Sequence, residues 1–238
     1  MTAILTADCV AKAFDGRRVL TSATLRAVPG ELRVMFGRNG AGKSTLLKIA
    51  AGRLAPDSGA VHFDGRAHLR VSLRRLARAG LFYLPDHDLL SNSFTVRRQL
   101  EMIRRRFDGG DVHHAAERLG VAGLLDRRPF QLSGGELRRA EIAAVLVRRP
   151  ACVLADEPFR GINPKDAEDL GRVLGELAQA GVVVVITGHE VASLLAAAHH
   201  VTWCTSGTTY ELGPPAVATR HHAFRREYLG ASYRASAL

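Results

Sequence analysis

The clearest chemical feature of the sequence is the glycine-rich segment from Gly37 to Ser44, which matches the phosphate-loop pattern G-x-x-x-x-G-K-[ST]. Its glycines allow successive backbone N–H groups to turn inward and cradle phosphate oxygens. A helix that begins at the end of this loop adds the positive end of its dipole. We expect Lys43 to reach the β- and γ-phosphates of a nucleotide and Ser44 to coordinate Mg²⁺.

Two adjacent carboxylates form a second chemical feature. An apolar segment from Ala151 to Ala155 leads into Asp156, Glu157 and Pro158. An enzyme with a phosphate loop needs an acidic residue at such a strand end to hold Mg²⁺, and Asp156 fits this role. Glu157 can orient and deprotonate an attacking water molecule, as a general base must. Together with the phosphate loop, these residues predict nucleotide hydrolysis.

A third feature is the segment Leu132-Ser-Gly-Gly-Glu136. Ser133 and Glu136 have the spacing of a capping box, which predicts a helix from Leu137 to Arg148. A capped helix N-terminus with exposed glycines is also an anion site. The local pattern therefore allows two interpretations, a simple helix cap and an anion-binding helix end.

The position of this segment points to a family. Lying between a phosphate loop and an Asp-Glu strand end, it matches the signature motif of ATP-binding cassette proteins, and the chain strongly resembles that family over essentially its whole length. In that family the signature binds the γ-phosphate of an ATP molecule held by the phosphate loop of a second subunit. The resemblance therefore implies a head-to-tail dimer with two composite ATP sites.

Two more residues take an expected role from the resemblance. His189 follows an apolar strand where the family carries a histidine that hydrogen-bonds the γ-phosphate and positions water. Phe14 lies 23 residues before Gly37, where the family usually places an aromatic ring that stacks on adenine. An aromatic residue in a strand also fits the core, so both interpretations of Phe14 stay open.

The motifs and the resemblance together predict the site. The residues expected to contact ATP are Phe14, Gly37, Arg38, Asn39, Gly40, Ala41, Gly42, Lys43, Ser44, Thr45, Ser133, Gly134 and Gly135. The expected catalytic residues are Lys43, Glu157 and His189, and the expected Mg²⁺ ligands are Ser44, Asp86 and Asp156.

The chain departs from the family pattern at two positions. Asp86 stands where the family has a glutamine that touches Mg²⁺ and water and links the site to the helical insert. Aspartate is a shorter, charged ligand that could hold the metal while altering this link. Asn163 stands in place of the aspartate of the family's Gly-Leu-Asp loop at the dimer seam. Because the other catalytic residues are present, we still expect hydrolysis.

The elements that must position these residues follow from hydrophobic patterning and turn signals. Two strands are predicted at residues 4–14 and 17–28, joined at Asp15-Gly16, and an arginine-rich helical pattern covers Val96 to Leu125. Farther along, helices alternate with strands, as in a parallel sheet covered on both faces. The predicted helices there are 136–148, 164–180 and 190–198, and the predicted strands are 151–155 and 182–187.

These patterns and the resemblance imply an α/β fold with the core of a P-loop NTPase (RecA-like), an antiparallel β subdomain and a helical insert. We expect one ATP-binding domain over residues 1–238. Its antiparallel part is predicted at about residues 1–30 and 60–80, and its helical insert at about residues 87–148.

The resemblance implies a function and partners. The expected function is the ATP-hydrolysing subunit of a transporter, working as a dimer with separate integral membrane permease subunits on the cytoplasmic face of the inner membrane. The stretch from Arg225 to Gly230 is similar to the ending of ATPases of lipopolysaccharide export or branched-chain amino-acid import, and an ordinary terminal helix explains it equally well. The alternative function is a slow-turnover, ATP-gated regulatory module outside transport.

Other functions within the same superfamily fit less well. A DNA-repair or chromosome ATPase needs a long coiled coil between the phosphate loop and the signature, and the spacing from Ser44 to Leu132 is too short. A translation factor that acts on ribosomes normally carries two such cassettes in one chain, and this chain has one.

Composition limits the remaining classes. The chain has 238 residues and a net charge of +10, with only four lysines among its 33 cations. No segment approaches the ~20 apolar residues that cross a bilayer, and Met1 to Val10 lacks the pattern of a signal peptide. Cys9, Cys152 and Cys204 are isolated, which fits a reducing cytosol.

The excess of arginine has three interpretations. Residues 64–80 carry Arg66, Arg70, Arg74, Arg75 and Arg78, and residues 87–150 carry twelve arginines against eight acidic residues. These charges could lie on solvated helix faces, face anionic lipids or acidic loops of a membrane partner, or bind nucleic acid. Because aromatic residues do not alternate with the basic ones, we expect no nucleic-acid partner.

Overall fold

The computed structural model describes residues 4–68 and 72–230. The β-strands are β1 (Leu5–Phe14), β2 (Arg17–Ala27), β3 (Leu32–Phe36), β4 (Ser58–Phe63), β5 (Arg66–His68), β6 (Leu81–Leu84), β7 (Cys152–Ala155), β8 (Val183–Thr187), β9 (His200–Thr205) and β10 (Thr208–Gly213). The α-helices are α1 (Lys43–Ala50), α2 (Leu73–Arg78), α3 (Val96–Phe107), α4 (Val112–Arg118), α5 (Gly134–Arg148), α6 (Pro164–Gln179), α7 (Val191–Ala197), α8 (Pro215–Ala218) and α9 (His222–Phe224). Short 3₁₀ turns cover Ala122–Leu124 and Pro129–Gln131, and a π-helical turn covers Arg225–Leu229.

The strands form one curved sheet in the order β5-β4-β1-β2-β10-β9-β3-β8-β7-β6. Strands β9, β3, β8, β7 and β6 run parallel to one another, whereas β2, β1, β4 and β5 form an antiparallel meander. Strand β10 joins the two parts, because it pairs antiparallel with β9 and touches β2 at Thr208 and Ser22. The sheet therefore combines a parallel core with an antiparallel extension.

The central strands are buried on both faces. In β3, Val34 and Phe36 face a core formed with α3 to α7, while Met35 faces a second core formed with α1 and the antiparallel strands. Strand β8 divides its residues in the same alternating way. Successive side chains of a strand point to opposite faces, so a strand between two cores is expected to be mostly apolar. This requirement explains the largely apolar sequences of β3, β7 and β8, in which Arg33 of β3 and Thr187 at the end of β8 are the exceptions.

The dipeptides Asp15-Gly16 and Asp64-Gly65 both form hairpin turns. Asp15 and Gly16 have φ values of 47° and 79°, and Asp64 and Gly65 have 50° and 72°. A two-residue turn with both φ values positive matches the twist of the flanking strands, and Asp-Gly adopts it readily. The turns join β1 to β2 and β4 to β5.

The long helical pattern from Val96 to Leu125 is interrupted. Helix α3 ends at Asp108, which adopts a left-handed conformation with φ 52°, and two glycines follow. Helix α4 then begins after Asp111, whose side chain accepts a hydrogen bond from the His114 N–H at 2.6 Å. Arginines fill the exposed face of α3, whereas Val96 and Leu100 are buried.

Several elements were not predicted from the sequence. They are the helix α2, the strands β9 and β10, and the short helices α8 and α9. Of the arginines noted in residues 64–80, Arg70 lies outside the described residues, and Arg74, Arg75 and Arg78 belong to α2. Within the part of the chain that the structure describes, no helix is long and apolar enough to span a bilayer.

Candidate functional site

The predicted catalytic residues lie in loops that leave the same edge of the sheet. Strands β3, β7 and β8 are adjacent and parallel, so their carboxyl ends lie side by side. The phosphate loop follows β3, the two carboxylates follow β7, and His189 follows β8. Ligands of open parallel sheets bind at this edge, because the loops there can converge on one point.

Two glycines explain the path of the phosphate loop. A Cβ atom at Gly37 would lie 2.2 Å from the carbonyl oxygen of Cys204, so no side chain fits where the loop leaves β3. Gly42 has φ 103°, in the left-handed region, and a Cβ atom there would lie 2.5 Å from Leu20 Cδ2. Glycine tolerates both demands because it has no Cβ. Helix α1 begins directly after Gly42.

Lys43 is buried and folded back over the loop. Its Nζ donates hydrogen bonds to the carbonyl oxygens of Gly37 at 2.7 Å and Arg38 at 3.3 Å. Burial lowers the pKa of Lys43, and the negative charges of Glu157 and Asp156 partly oppose this effect. A desolvated ammonium group beside a loop of backbone amides is well suited to a phosphate, which would supply the charge that two neutral carbonyls cannot.

Asp156 is almost fully buried and both of its oxygens accept hydrogen bonds. Oδ1 accepts from Ser44 Oγ at 2.9 Å and from Thr187 Oγ1 at 2.8 Å, and Oδ2 accepts from the Tyr83 hydroxyl at 3.2 Å. Burial and the charge of Asp156 raise the pKa of Tyr83, which keeps that hydroxyl a donor. The hydroxyl of Ser44 thus lies next to the buried carboxylate of Asp156, as two oxygen ligands of one Mg²⁺ ion would.

Glu157 has an unusual backbone conformation. Its φ is +45°, in the left-handed region that non-glycine residues rarely adopt. Its N–H donates to Thr187 Oγ1 at 2.9 Å, and its Oε1 lies 3.2 Å from His189 Nε2. Strained backbone of this kind is concentrated at functional sites, where the surroundings hold it in place. The conformation turns the carboxylate away from β7 and toward the loop after β8.

Phe14 is at the end of β1 with 43% of its surface exposed, so the structure does not place it in the core. A cavity of about 580 Å³ is lined by Phe14, residues 39–45 and Glu157. The Nζ of Lys12 lies 5.6 Å from the centre of the ring. An exposed ring beside the phosphate loop is available for stacking on a base, which favours that interpretation over the core.

The signature residues lie apart from the phosphate loop of the same chain. Ser133 caps α5 through a capping box, in which the Glu136 N–H donates to Ser133 Oγ at 3.3 Å and Glu136 Oε2 accepts from the Ser133 N–H at 2.8 Å. Ser133 and Gly134 are exposed, and Gly135 lies beside Asp166 on α6. The structure therefore brings Lys43, Ser44, Asp156, Glu157 and His189 together and leaves Ser133, Gly134 and Gly135 on a separate surface.

The two departures from the family pattern have local partners. Asp86 follows β6, and its carboxylate lies 2.6 Å from His87 Nδ1 and 3.6 Å from Arg160 Nη1. Asn163 caps α6, accepting from the Asp166 N–H at 2.9 Å and donating its amide to Asp166 Oδ2 at 2.8 Å. An aspartate at position 163 could accept but not donate, and it would place a second negative charge beside Asp166. The structure thus explains the amide at position 163.

Four residues that the sequence did not single out support the site. Thr187 and Tyr83 hold Asp156, and Arg138 donates to the backbone around Glu157. Tyr228 packs against Phe36 with ring centres 5.6 Å apart, directly below the phosphate loop. A polar residue at the end of an apolar strand is the local signal for Thr187, and Tyr228 lies in the stretch Arg225 to Gly230 noted above. Tyr83 and Arg138 carry no local signal.

Known proteins resemble this chain. The family described as ABC transporter matches residues 20–160. The lipopolysaccharide export system ATP-binding protein LptB of Escherichia coli (strain K12) is 32% identical over 239 residues, covering 98% of this chain and 99% of LptB. The cell division ATP-binding protein FtsE of Escherichia coli (strain K12) is 33% identical over 191 residues, covering 76% of this chain and 86% of FtsE.

Solved structures share the fold. The ADP conformation of MJ1267, an ATP-binding cassette of an ABC transporter, has a TM-score of 0.80 and 24% identity, covering 91% of this chain and 93% of that chain. A nucleotide-free ATP-binding cassette from an ABC transporter has a TM-score of 0.79 and 24% identity, covering 89% of this chain and 92% of that chain. These similarities confirm the predicted α/β fold with a P-loop NTPase core.

Proposed function

Because the chain belongs to the ATP-binding cassette transporter family, we propose that it drives transport as a head-to-tail dimer bound to separate membrane subunits. Membership confirms the family resemblance, and it also confirms the predicted ATPase activity with ATP and Mg²⁺. The chain is thus the ATPase subunit of a transporter. We propose the dimer, the membrane partners and the roles of the individual residues.

One observation carries the dimer. The phosphate loop and the signature are both ATP-binding segments in this family. Within one chain, however, the exposed N-terminus of α5 lies beside α6 and does not line the cavity formed by Phe14, residues 39–45 and Glu157. A second copy, turned head to tail, would bring its own Ser133 and Gly134 over that cavity. Backbone amides at the exposed end of a 15-residue helix are suited to the γ-phosphate.

In the proposed reaction, a water oxygen attacks the γ-phosphorus of ATP and the bond from that phosphorus to the bridging oxygen of ADP breaks. Glu157 takes a proton from the attacking water as the new bond forms. His189, 3.2 Å from Glu157, holds the water and the γ-phosphate in line. Lys43 stabilises the charge that develops on the β- and γ-phosphates. The products are ADP and inorganic phosphate.

Ser44 and Asp156 would hold Mg²⁺, since Ser44 Oγ already lies 2.9 Å from Asp156 Oδ1. When bound, the ion neutralises charge on the β- and γ-phosphates. Thr187 and Tyr83 keep the carboxylate of Asp156 oriented. Asp86 follows the neighbouring strand β6. We propose that its carboxylate gives up its contact with Arg160 and becomes a third oxygen ligand of the ion.

A groove on the helical side supports a membrane partner. A cavity of about 780 Å³ lies between the segment after β6 and helix α3, and its lining is mostly apolar. Its main lining residues are Phe82, Leu89, Leu90, Phe94, Met102, Ile103 and Phe107. An apolar groove of this size accepts a short amphipathic helix of another protein. We propose that a permease subunit docks here, which would place the chain on the cytoplasmic face of the inner membrane. The similarity to LptB, the ATP-binding protein of a lipopolysaccharide export system, supports a partner that belongs to a transport system.

The regulatory alternative rests on Asp86. Its carboxylate faces His87 and Arg160, so a water-positioning role would require these contacts to break. Turnover of the purified chain, measured alone and with its detergent-solubilised membranes, separates the two functions. Turnover near zero in both samples would favour the regulatory module.

The dimer is tested with Glu157→Gln, which removes the proposed base without changing the shape of the side chain. We expect ATP with Mg²⁺ to convert this variant from monomer to dimer in size-exclusion chromatography with light scattering. Glu168→Gln, an exposed position on α6, is the matched control and should turn ATP over normally. Wild-type turnover by Glu157→Gln, with no ATP-dependent dimer, would contradict both the base and the dimer.

A further inference from the structure

Arg138 on α5 is a buried arginine whose guanidinium group is surrounded by backbone carbonyls. Only 5% of the residue is exposed. Its hydrogen bonds go to Pro158 O (2.8 Å), Pro85 O (2.9 Å), Glu157 O (3.0 Å), Asp156 O (3.3 Å) and the carboxylate of Glu141 (2.7 Å). Three of these acceptors are the consecutive carbonyls of residues 156–158.

Three consecutive carbonyls reach one point only where the backbone turns sharply. Glu157, in the middle, has φ +45°, and this conformation lets residues 156–158 curl around the guanidinium. From the other side, Thr187 Oγ1 accepts the Glu157 N–H at 2.9 Å. The backbone of Glu157 is therefore held at both its N–H and its C=O, which is the support that a left-handed non-glycine residue needs.

Glu141 keeps the guanidinium in this orientation. It lies one helical turn after Arg138, is almost fully buried, and pairs with Arg138 Nη1 at 2.7 Å. Its other oxygen accepts the Leu89 N–H at 3.3 Å. A planar guanidinium with five N–H donors can hold several acceptors at once, whereas a lysine ammonium group has a single nitrogen.

We propose that Arg138 is a positioning residue for hydrolysis, which sets the carboxylate of Glu157 against the attacking water through the backbone of residues 156–158. The inference rests on the proposed function, in which Glu157 is the general base. Arg138 acts through Glu157 and touches no substrate. The ATP contacts of Lys43 and Ser44 come from another loop, so we expect ATP affinity to depend much less on Arg138 than kcat does.

The test compares Arg138→Gln and Arg138→Lys with Arg148→Lys. Arg148 lies on the same helix, is also buried, donates to Ala77 O at 2.5 Å and covers the Phe107 ring at 4.0 Å, far from the site. The Arg148→Lys variant therefore measures the effect of altering a buried arginine that does not contact the site. For each variant, kcat and KM for ATP, ATP affinity by calorimetry and Tm are measured, and kcat is expressed per ATP-binding chain.

We expect Arg138→Gln to lower kcat by about 10- to 100-fold, because small displacements of a catalytic group have effects of that size. The ATP affinity should stay within about twofold, and Arg138→Lys should recover part of kcat. Arg148→Lys should lower Tm without changing kcat per binding chain. If Arg138→Gln does not fold, the same split between kcat and affinity is read from Arg138→Lys.

An unchanged kcat in both Arg138 variants would overturn the inference, as would a loss of ATP affinity in proportion to kcat. Glu157→Gln is measured in parallel to keep the two proposals separate. Turnover at the wild-type rate in Glu157→Gln would reject Glu157 as the general base, whatever the result for the Arg138 variants. Inactive Glu157→Gln together with active Arg138→Gln would reject only the positioning role.

Discussion

The carboxylate of Glu157 lies 3.2 Å from Nε2 of His189, although the two residues are 32 positions apart. They meet because β7 and β8 are adjacent parallel strands that end at the same level, with Ala155 paired to Ile186. Each residue extends from the loop after its own strand. A base and an orienting imidazole within hydrogen-bonding distance form a unit that can place and deprotonate one water molecule.

We expect His189→Ala to lower kcat by about 100-fold while ATP affinity changes little, because the imidazole acts on the water rather than on the bulk of the nucleotide. Phosphate release measures kcat, and calorimetry measures affinity. His113→Ala is the control, since His113 forms a comparable pair with Glu117 at 3.4 Å on the exposed face of α4. Equal activity of the two variants would remove His189 from the catalytic unit.

Lys43→Ala should reduce ATP affinity by about 10- to 100-fold, since charge-assisted hydrogen bonds contribute roughly 1.5–3 kcal/mol each. The readout is the rise in Tm on adding ATP with Mg²⁺, which the variant should lose. Lys48→Ala tests the same helix in its last turn, at the end opposite the loop, and its Tm should respond as in the wild type. A full ATP-dependent rise in Lys43→Ala would argue against phosphate contact.

Cys204 gives a pH dependence of stability. Its thiol is buried and donates to Ala41 O at 3.0 Å in the phosphate loop, and burial raises its pKa from 9.0 to about 11. The thiol is deprotonated at a lower pH in the unfolded chain than in the folded chain. Its contribution to the free energy of unfolding is therefore fully present below pH 9 and is lost as the pH rises through 11. The shift corresponds to roughly 2–3 kcal/mol. Urea unfolding at several pH values should show a smaller decline for Cys204→Ala than for the wild type, and equal declines would contradict the assignment.

Asn163→Asp should destabilise the chain at neutral pH by about 1 kcal/mol. The substitution removes the donor to Asp166 Oδ2 and brings two carboxylates together, which raises the pKa of one of them. Stability should therefore recover as the pH falls through that raised pKa. Asn163→Ser, which keeps a capping oxygen without the charge, should show no such recovery. Unfolding by urea at neutral and acidic pH distinguishes the two variants.

Much of the fold could be predicted locally. The apolar strands β3, β7 and β8, the two Asp-Gly hairpins and the helices α1, α5 and α6 all carry strong patterns within a few residues. The strands β9 and β10 lack a clear local pattern because polar residues interrupt them, with Thr202 buried against Arg33 and Glu211. Only a partner in the folded chain makes such residues suitable for a strand.

In the functional site, as in the fold, some features follow from local sequence and others from tertiary contacts. The phosphate loop, the two carboxylates and the capping box are short segments whose chemistry depends on neighbouring residues, so the sequence by itself determined them. The positions of Thr187, Tyr83 and Arg138 around Asp156 and Glu157 depend on contacts across 31, 73 and 19 residues. Packing of the whole sheet creates these contacts. For that reason only the tertiary structure decided which side chains hold the catalytic carboxylates in place.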